Sequence, residues 1–266
     1  MQRFTDRTVI VTGSSKGIGS AIAHRFAQEG ANVVLNSRSR EDLESVASDL
    51  DEARTLLVEG DVSDVAFAKD LVKRTVERFG GLDCLVNNAG TTKHARDHSD
   101  LDALTREDFL DLYAVNVAGP FLMMQACKPL LIESHRQTGR AAAVLNTSSI
   151  AGVTGIGSSV AYAATKGALN TMTLSLARAL APEIRVNAIC PGFIGTRWFK
   201  DKMDEEQYQR MEASVAAATP LNVASGPDDI ADSALFFLTD ASRHVTGETL
   251  LVDAGTHLGY APLTAR

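Results

Sequence analysis

Residues 8–35, TVIVTGSSKGIGSAIAHRFAQEGANVVL, set an apolar run, a glycine-rich turn, an amphipathic stretch and a second apolar run in direct succession. Neither apolar run alternates with polar residues. Each therefore reads as a strand buried on both faces, which a parallel sheet covered by helices requires. Within the turn, Gly13 permits a sharp exit from the strand and Gly17 lets backbone approach an anion, while Gly19 allows helix and strand to pack closely; Ser15, Lys16 and Ile18 complete the loop. The N–H groups and dipole of a helix starting here favour a pyrophosphate. The spacing is G-x3-G-x-G, a variant of the dinucleotide-binding fingerprint.

The alternation continues along the chain. Strands are expected at 8–12, 32–36, 55–59, 84–87, 142–147, 185–190 and 249–252, with helices at 17–29, 40–50, 65–79, 105–134, 162–180 and 228–239. This pattern predicts an α/β class: a doubly wound, parallel, seven-stranded sheet with helices on both faces and ligands at the carboxyl ends of the strands. No linker or repeat divides residues 1–266, so one domain is expected. Segment 192–220 breaks the alternation, and about 193–220 reads as a substrate lid. Segments 94–102 and 133–139 read as solvent loops. A net charge of −7 without a basic run argues against nucleic acid and anionic membranes. The N-terminus has no apolar segment behind a basic stretch, and the apolar 113–132 region is interrupted by Asn116, Pro120, Gln125, Lys128 and Pro129. Cys84, Cys127 and Cys190 are scattered in apolar strings, with no CxxC or Cys/His cluster, so no metal is expected. These features suit a soluble, cytoplasmic protein.

Tyr162 and Lys166 stand thirteen and seventeen residues after Ser149. At i, i+4 on a helix, the phenol and ammonium share one face. A nearby cation favours the phenolate and brings a tyrosine toward working pH. A serine hydroxyl can hold a carbonyl oxygen beside them, and the set suits proton exchange at an alcohol or ketone oxygen. Ser148 is expected to be a turn residue. On residue chemistry alone, Asn116 bonds a neighbouring carbonyl, Asn87 and Asn88 form a turn, and Asp61 caps the next helix.

TGSSKGIG (12–19), NNAG (87–90), Asn116 in AVNVAGPF, Ser149, YAATK (162–166) and PGFIGT (191–196) occur in order. Together they resemble the single-domain branch of the short-chain dehydrogenases/reductases, over about residues 8–254. The resemblance implies a Rossmann fold, NAD(P)-dependent hydride transfer and a catalytic set of Asn116, Ser149, Tyr162 and Lys166. Tyr162 would be the acid/base and Ser149 the carbonyl holder. Lys166 would bind the nicotinamide ribose and tune Tyr162, and Asn116 would hold a water leading to solvent. Asn88, Ala89 and Gly90 would wall the adenosine ribose, and Asp61 and Val62 would flank the adenine. Pro191 and Gly192 would shape a turn of the cofactor site, and Ile194 and Thr196 would contact the nicotinamide amide.

At the end of the second strand an NAD-binding chain needs a carboxylate for the ribose 2′-hydroxyl. This chain has Ser37 and Arg38, with Arg40 and Lys16 nearby, a set suited to a 2′-phosphate. NADP(H) is therefore expected over NAD(H). The resemblance implies a small carbonyl or alcohol substrate, and the chain is similar to 3-oxoacyl-(acyl-carrier-protein) reductases, which would bring a carrier-protein or CoA thioester. Val223 stands where those reductases commonly carry arginine, so a sugar, polyol or cyclic-alcohol dehydrogenase remains the alternative, and a catalytically silent nucleotide sensor a remote one. Phe193, Trp198, Phe199, Met203 and Met211 are candidates for an apolar pocket wall. The resemblance also implies a homotetramer built on the 105–134 and 162–180 helices.

Overall fold

The computed structural model describes residues 2–195 and 204–259. Seven parallel strands form one sheet: β1 Thr8–Thr12, β2 Asn32–Ser37, β3 Thr55–Glu59, β4 Cys84–Asn87, β5 Ala142–Thr147, β6 Ile184–Pro191 and β7 Thr249–Val252. Their order is β3-β2-β1-β4-β5-β6-β7, and every neighbouring pair is parallel. The chain winds outward from β1 in one direction, then from β4 in the other. A crevice must open at the carboxyl ends where the direction reverses. This is the doubly wound fold expected from the sequence.

The apolar strands are explained by two cores. Val9, Val11, Val33, Leu35 and Val86 face one side, where they meet Ile22 and Phe26 of α1 (Gly17–Gln28), Leu43 of α2 (Arg40–Ala47) and Ile230 and Leu235 near the C-terminus. Ile10, Val34, Val58, Leu85 and Val144 face the other side. There they meet Leu71 of α3 (Val65–Phe79) and, beyond α4 (Arg106–Tyr113), Met123, Cys127 and Leu131 of α5 (Gly119–Thr138). Within residues 106–138 an 18-residue stretch reaches a mean hydropathy of 1.2, enough by length and composition for a membrane span, but its buried side chains, Met123, Cys127 and Leu131 among them, pack on the sheet. The expected loop at 133–139 is instead the last turn of α5, ended by Gly139 at φ 69°. Its polar side chains are the exposed face of a helix whose Leu131 is buried, and the left-handed glycine marks the stop.

Four more α-helices lie in the described chain, besides short 3-10 turns: α6 Ala151–Thr154, α7 Val160–Leu180, α8 Glu205–Ala217 and α9 Pro227–Leu238. Between α4 and α5 the backbone makes a π-turn over Ala114–Ala118, in which Gly119 N–H donates to Ala114 O. Pro120 follows, and having no N–H it cannot donate to the Asn116 carbonyl as an α-helix would require. Of the expected lid, residues 196–203, with Thr196, Trp198, Phe199 and Met203, lie outside the described residues. The remainder holds α8, opened by a reciprocal Asp204–Gln207 cap and anchored by buried Tyr208.

Candidate active site

A cleft of about 660 Å³ opens at the carboxyl ends of β1, β4 and β5. The end beside β1 is shaped by backbone. Gly13 and Gly17 take φ values of +63° and +58°, where other residues are strained. Gly19 faces inward: a Cβ there would lie 2.3 Å from Gly13 O and 2.5 Å from Asn88 Nδ2. α1 begins without a side-chain cap or an acidic residue in its first turn, leaving its positive end to the cleft. Ser15, Lys16, Gly17 and Ile18 line the opening.

The NNAG segment is fixed to this turn. Asn88 Nδ2 donates to Thr12 O at 3.1 Å and Gly13 O at 3.0 Å, and the Thr12 hydroxyl accepts from the N–H groups of Asn88 and Ala89. Thr12 was not singled out from sequence; a hydroxyl at the last position of a buried strand was the available signal. Asn36 similarly ties β2 to the end of β3 through Val58 O and Gly60 O, both at 3.1 Å.

The expected phosphate set is only partly assembled. Arg38 is exposed at the cleft beside Ser37, and its charge helps hold Asp61 below the usual carboxylate range, after the larger effect of hydrogen bonds from Ser63. Lys16 is exposed at the same mouth. Arg40 is engaged elsewhere: Nε meets Glu44 Oε1 at 2.7 Å and a terminal nitrogen reaches Leu57 O. It sits in the first turn of α2, one turn before Glu44, and is drawn along the helix. The Ser37 hydroxyl donates to Ser39 O at 2.9 Å. Asp61 does not cap α3; Asp64 does, accepting from Ala66 N–H. Val62 lines the cleft beside Asp61 and is otherwise buried, packed against Gly119.

At the other end, Ser149, Tyr162 and Lys166 meet in the cleft. α7 delivers the latter two one turn apart, its start fixed by Ser159 Oγ accepting from Tyr162 N–H at 3.1 Å. Lys166 is 4% exposed, and its Nζ donates to Thr147 O at 2.8 Å and lies 5.7 Å from the Tyr162 ring centre. Burial lowers Lys166 to about 8. Tyr162 is raised by burial, with Ser149 pulling it down. The expected lowering of the phenol by the lysine is not what this arrangement gives, because the ammonium is directed at the Thr147 carbonyl and desolvation dominates. Ser148 is no turn residue: its buried hydroxyl donates to Lys166 O at 3.2 Å.

Asn116 is 1% exposed. Its amide bonds Thr91 in both directions, accepting from N–H at 2.8 Å and donating to O at 2.9 Å, and donates to Thr165 Oγ1 at 3.1 Å. A Cβ on Gly90 would lie 3.3 Å from Asn116 Oδ1 and 3.7 Å from Lys166 Nζ, so the three converge. Pro191, the last residue of β6, and Gly192 and Ile194 beyond it form a wall of the cleft, where a Cβ on Gly192 would strike Asp253 Cβ at 2.7 Å.

The cleft suits a dinucleotide on its own terms. Glycine backbone and an uncapped helix end face its mouth, and deep inside, the Thr147 hydroxyl is buried, lines the cleft and has no partner among the described residues. Residues 13–257 match a family model described as enoyl-(acyl carrier protein) reductase. The chain is 41% identical over 250 residues to the ketoacyl reductase 2 assigned to the granaticin polyketide synthase of Streptomyces violaceoruber, covering 94% of this chain and 95% of that one. It is 37% identical to an L-rhamnose 1-dehydrogenase (NAD(P)(+)) of Azotobacter vinelandii, over 94% and 96% of the two chains. Among solved structures, a short-chain dehydrogenase/reductase (glucose/ribitol dehydrogenase) from Brucella melitensis matches with a TM-score of 0.85 and 32% identity, over 97% and 99%. With the cleft, the ordered motifs and these relatives in agreement, the chain belongs to the short-chain dehydrogenase/reductase family, oxidoreductases that act on CH–OH and C=O groups with NAD(P)(H).

Proposed function

We propose that this protein is an NADP(H)-dependent carbonyl reductase whose substrate is a 3-oxoacyl thioester. The observation that carries the reading is the convergence of Ser149, Tyr162 and Lys166 in one cleft with the glycine turn. A nicotinamide held in the cleft would supply the hydride. Ser149 holds the carbonyl oxygen, and Tyr162 gives that oxygen its proton. A phenol raised by burial keeps its proton at neutral pH, which suits donation and hence the reducing direction. Lys166 would hold the ribose of a bound nicotinamide and, titrating near pH 8, would return a proton to Tyr162. Asn116 has spent its amide on Thr91 and Thr165, so its part in the proton path falls to its backbone carbonyl, which the π-turn and Pro120 take out of the α-helical ladder.

Preference for NADP(H) rests on Arg38 and Lys16 at the mouth, with no carboxylate at position 37. A sugar, polyol or cyclic alcohol is the second reading, favoured by Val223 and by the similarity to a rhamnose dehydrogenase. We assign the chain as one nucleotide-binding domain with a lid at about 193–220. A cytoplasmic homotetramer built on the 105–134 and 162–180 helices accords with exposed Phe121 and Leu174 on them.

The test is NADPH and NADH consumption with an acetoacetyl thioester, a sugar ketone and a cyclic ketone. NADPH should be favoured at least tenfold in kcat/KM, the size of one charge-assisted contact of about 1.4 kcal/mol. Tyr162→Phe should bind NADPH normally and lose turnover by at least about 10²-fold. Normal turnover in that variant would remove Tyr162 as the acid. Turnover of the sugar or cyclic ketone alone would move the substrate to the second reading.

A further inference from the structure

Ser149 is the one member of the triad that α7 does not carry. It follows β5 and opens a single helical turn, α6, in which Gly152 N–H donates to Ser149 O at 3.0 Å and Ala151 N–H to Ser149 Oγ at 3.1 Å. A helix of four residues has no stability of its own. What sets the position of the hydroxyl must come from outside the turn.

The support is a contact of backbone on backbone. Gly152 lies on α7 at the peptide that follows Lys166: a Cβ at 152 would fall 2.5 Å from Lys166 C, 2.7 Å from Lys166 O and 2.8 Å from Gly167 N. These are atoms of a 21-residue helix, which cannot yield as a side-chain tip can. Hydrogen bonds brace the same place. Ser148 Oγ donates to Lys166 O at 3.2 Å, Asn170 Nδ2 donates to Gly152 O at 3.3 Å, and Cys190 Sγ donates to Asn170 Oδ1 at 3.7 Å. Across the contact the situation differs, since a Cβ on Gly167 would meet only Gly152 O, at an ordinary 3.6 Å.

We infer that Gly152, braced by Asn170, is a positioning residue: it fixes the separation between the Ser149 hydroxyl and the Tyr162–Lys166 pair by letting α6 rest directly on the backbone of α7. The inference rests on the carbonyl-reductase reading above. Two parts of the site come from different elements, and the gap between them is set by a contact with no side-chain length in it. Any side chain at 152 lifts the Ser149 turn off the helix while the glycine cradle for the nucleotide, at the other end of the cleft, keeps its shape.

The experiment compares Gly152→Ala, Gly167→Ala and Asn170→Ala with the unmodified protein for NADPH affinity, kcat and the pH profile of kcat/KM in the oxidising direction. Gly152→Ala should lower kcat by about 10²-fold, the effect of a displacement near 1 Å, with NADPH affinity held within about twofold. Its profile should also move: Ser149 lowers the Tyr162 pKa, so drawing Ser149 away carries the acid limb to higher pH. Gly167→Ala should keep kcat within about twofold, while Asn170→Ala should lose about fivefold, one hydrogen bond's worth, with a smaller displacement of the limb in the same direction. Gly152→Ala with kcat near that of the unmodified protein overturns the inference. So does an equal loss of kcat and NADPH affinity with an unmoved limb, which is general loosening. Should Gly152→Ala fail to fold, Asn170→Ala decides by the same readouts. An unmodified protein that binds NADPH but reduces no carbonyl sinks the parent reading, an outcome distinct from an active protein indifferent to residue 152.

Discussion

The two ends of the cleft are built on opposite principles. At the end proposed as catalytic, the polar side chains around Ser149 and Tyr162 are buried and committed: Lys166 to Thr147, Asn116 to Thr91 and Thr165, Ser148 to the Lys166 carbonyl. At the nucleotide end the fixed part is main chain, namely the glycine turn, the start of α1 and the NNAG segment held by Thr12 and Asn88. The side chains there, Lys16 and Arg38, are exposed and hang at the rim. Burial makes the catalytic groups intolerant of change and shifts their pKa values; exposure leaves the nucleotide-end charges weak one by one and exchangeable. A site of this design can change its cofactor preference without disturbing its chemistry.

The comparison is tested hardest where the nucleotide end is main chain. Gly19→Ala places a Cβ against Gly13 O and Asn88 Nδ2 at distances that real atoms do not adopt, so the start of α1 must move. Overpacking of this kind costs about 1–3 kcal/mol of stability. NADPH affinity should fall by at least about tenfold, since the N–H groups that face the anion move with the helix. Titration by fluorescence and thermal unfolding read the two effects. Unchanged NADPH affinity would mean that the backbone shape is not what binds.

The same contrast explains what the sequence made legible. Strands buried on both faces leave unbroken apolar runs, and the bounds of β1, β3, β4, β5 and β7 were readable to the residue. Gly13, Gly17 and Gly19 were readable because each steric demand has one solution among the amino acids. What stayed hidden were relations between segments distant in the chain. Thr12 reaching residues 88 and 89, or Gly152 resting on Lys166, leave no periodic mark. Nor could the ladder-breaking effect of Pro120 on Asn116 be seen while 105–134 was read as one continuous helix. Arg40 shows the reverse error: proximity in sequence suggested a phosphate ligand, and an i, i+4 carboxylate took it instead.

Burial at the catalytic end has a measurable consequence for stability. The folded Lys166 has a pKa of about 8, below that of an unfolded lysine, about 10.4. Its charged form is therefore disfavoured by folding. The penalty is fully present below pH 8 and fades as pH rises toward the unfolded value, because in that window the unfolded chain binds the extra proton. Across it the unmodified protein should gain roughly 3 kcal/mol relative to Lys166→Met, an order-of-magnitude figure from the two pKa values. Thermal unfolding of both proteins from pH 7 to 10 checks this. Parallel curves would mean that the ammonium is better solvated than its burial implies.

The smallest effects belong to the rim, where two arginines two residues apart separate position from charge. Arg38 stands exposed at the cleft and acts on Asp61, whereas Arg40 is paired with Glu44 along α2. If NADP(H) is preferred as proposed, loss of Arg38 would remove one charge-assisted contact to the 2′-phosphate in a solvent-screened setting, so Arg38→Ala should lower the NADPH-to-NADH ratio of kcat/KM by about tenfold. Arg40→Ala removes an equal charge at nearly the same place in the sequence and should change that ratio by less than about twofold, since an exposed i, i+4 pair is worth only a few tenths of a kcal/mol. Neither variant should alter kcat with saturating NADPH, because the catalytic end is held by α7, β5 and the π-turn rather than by the rim. Equal effects of the two substitutions would mean that the nucleotide end reads its net charge rather than the placement of one guanidinium. A fall in kcat for Arg38→Ala would couple the two ends and break the separation between them.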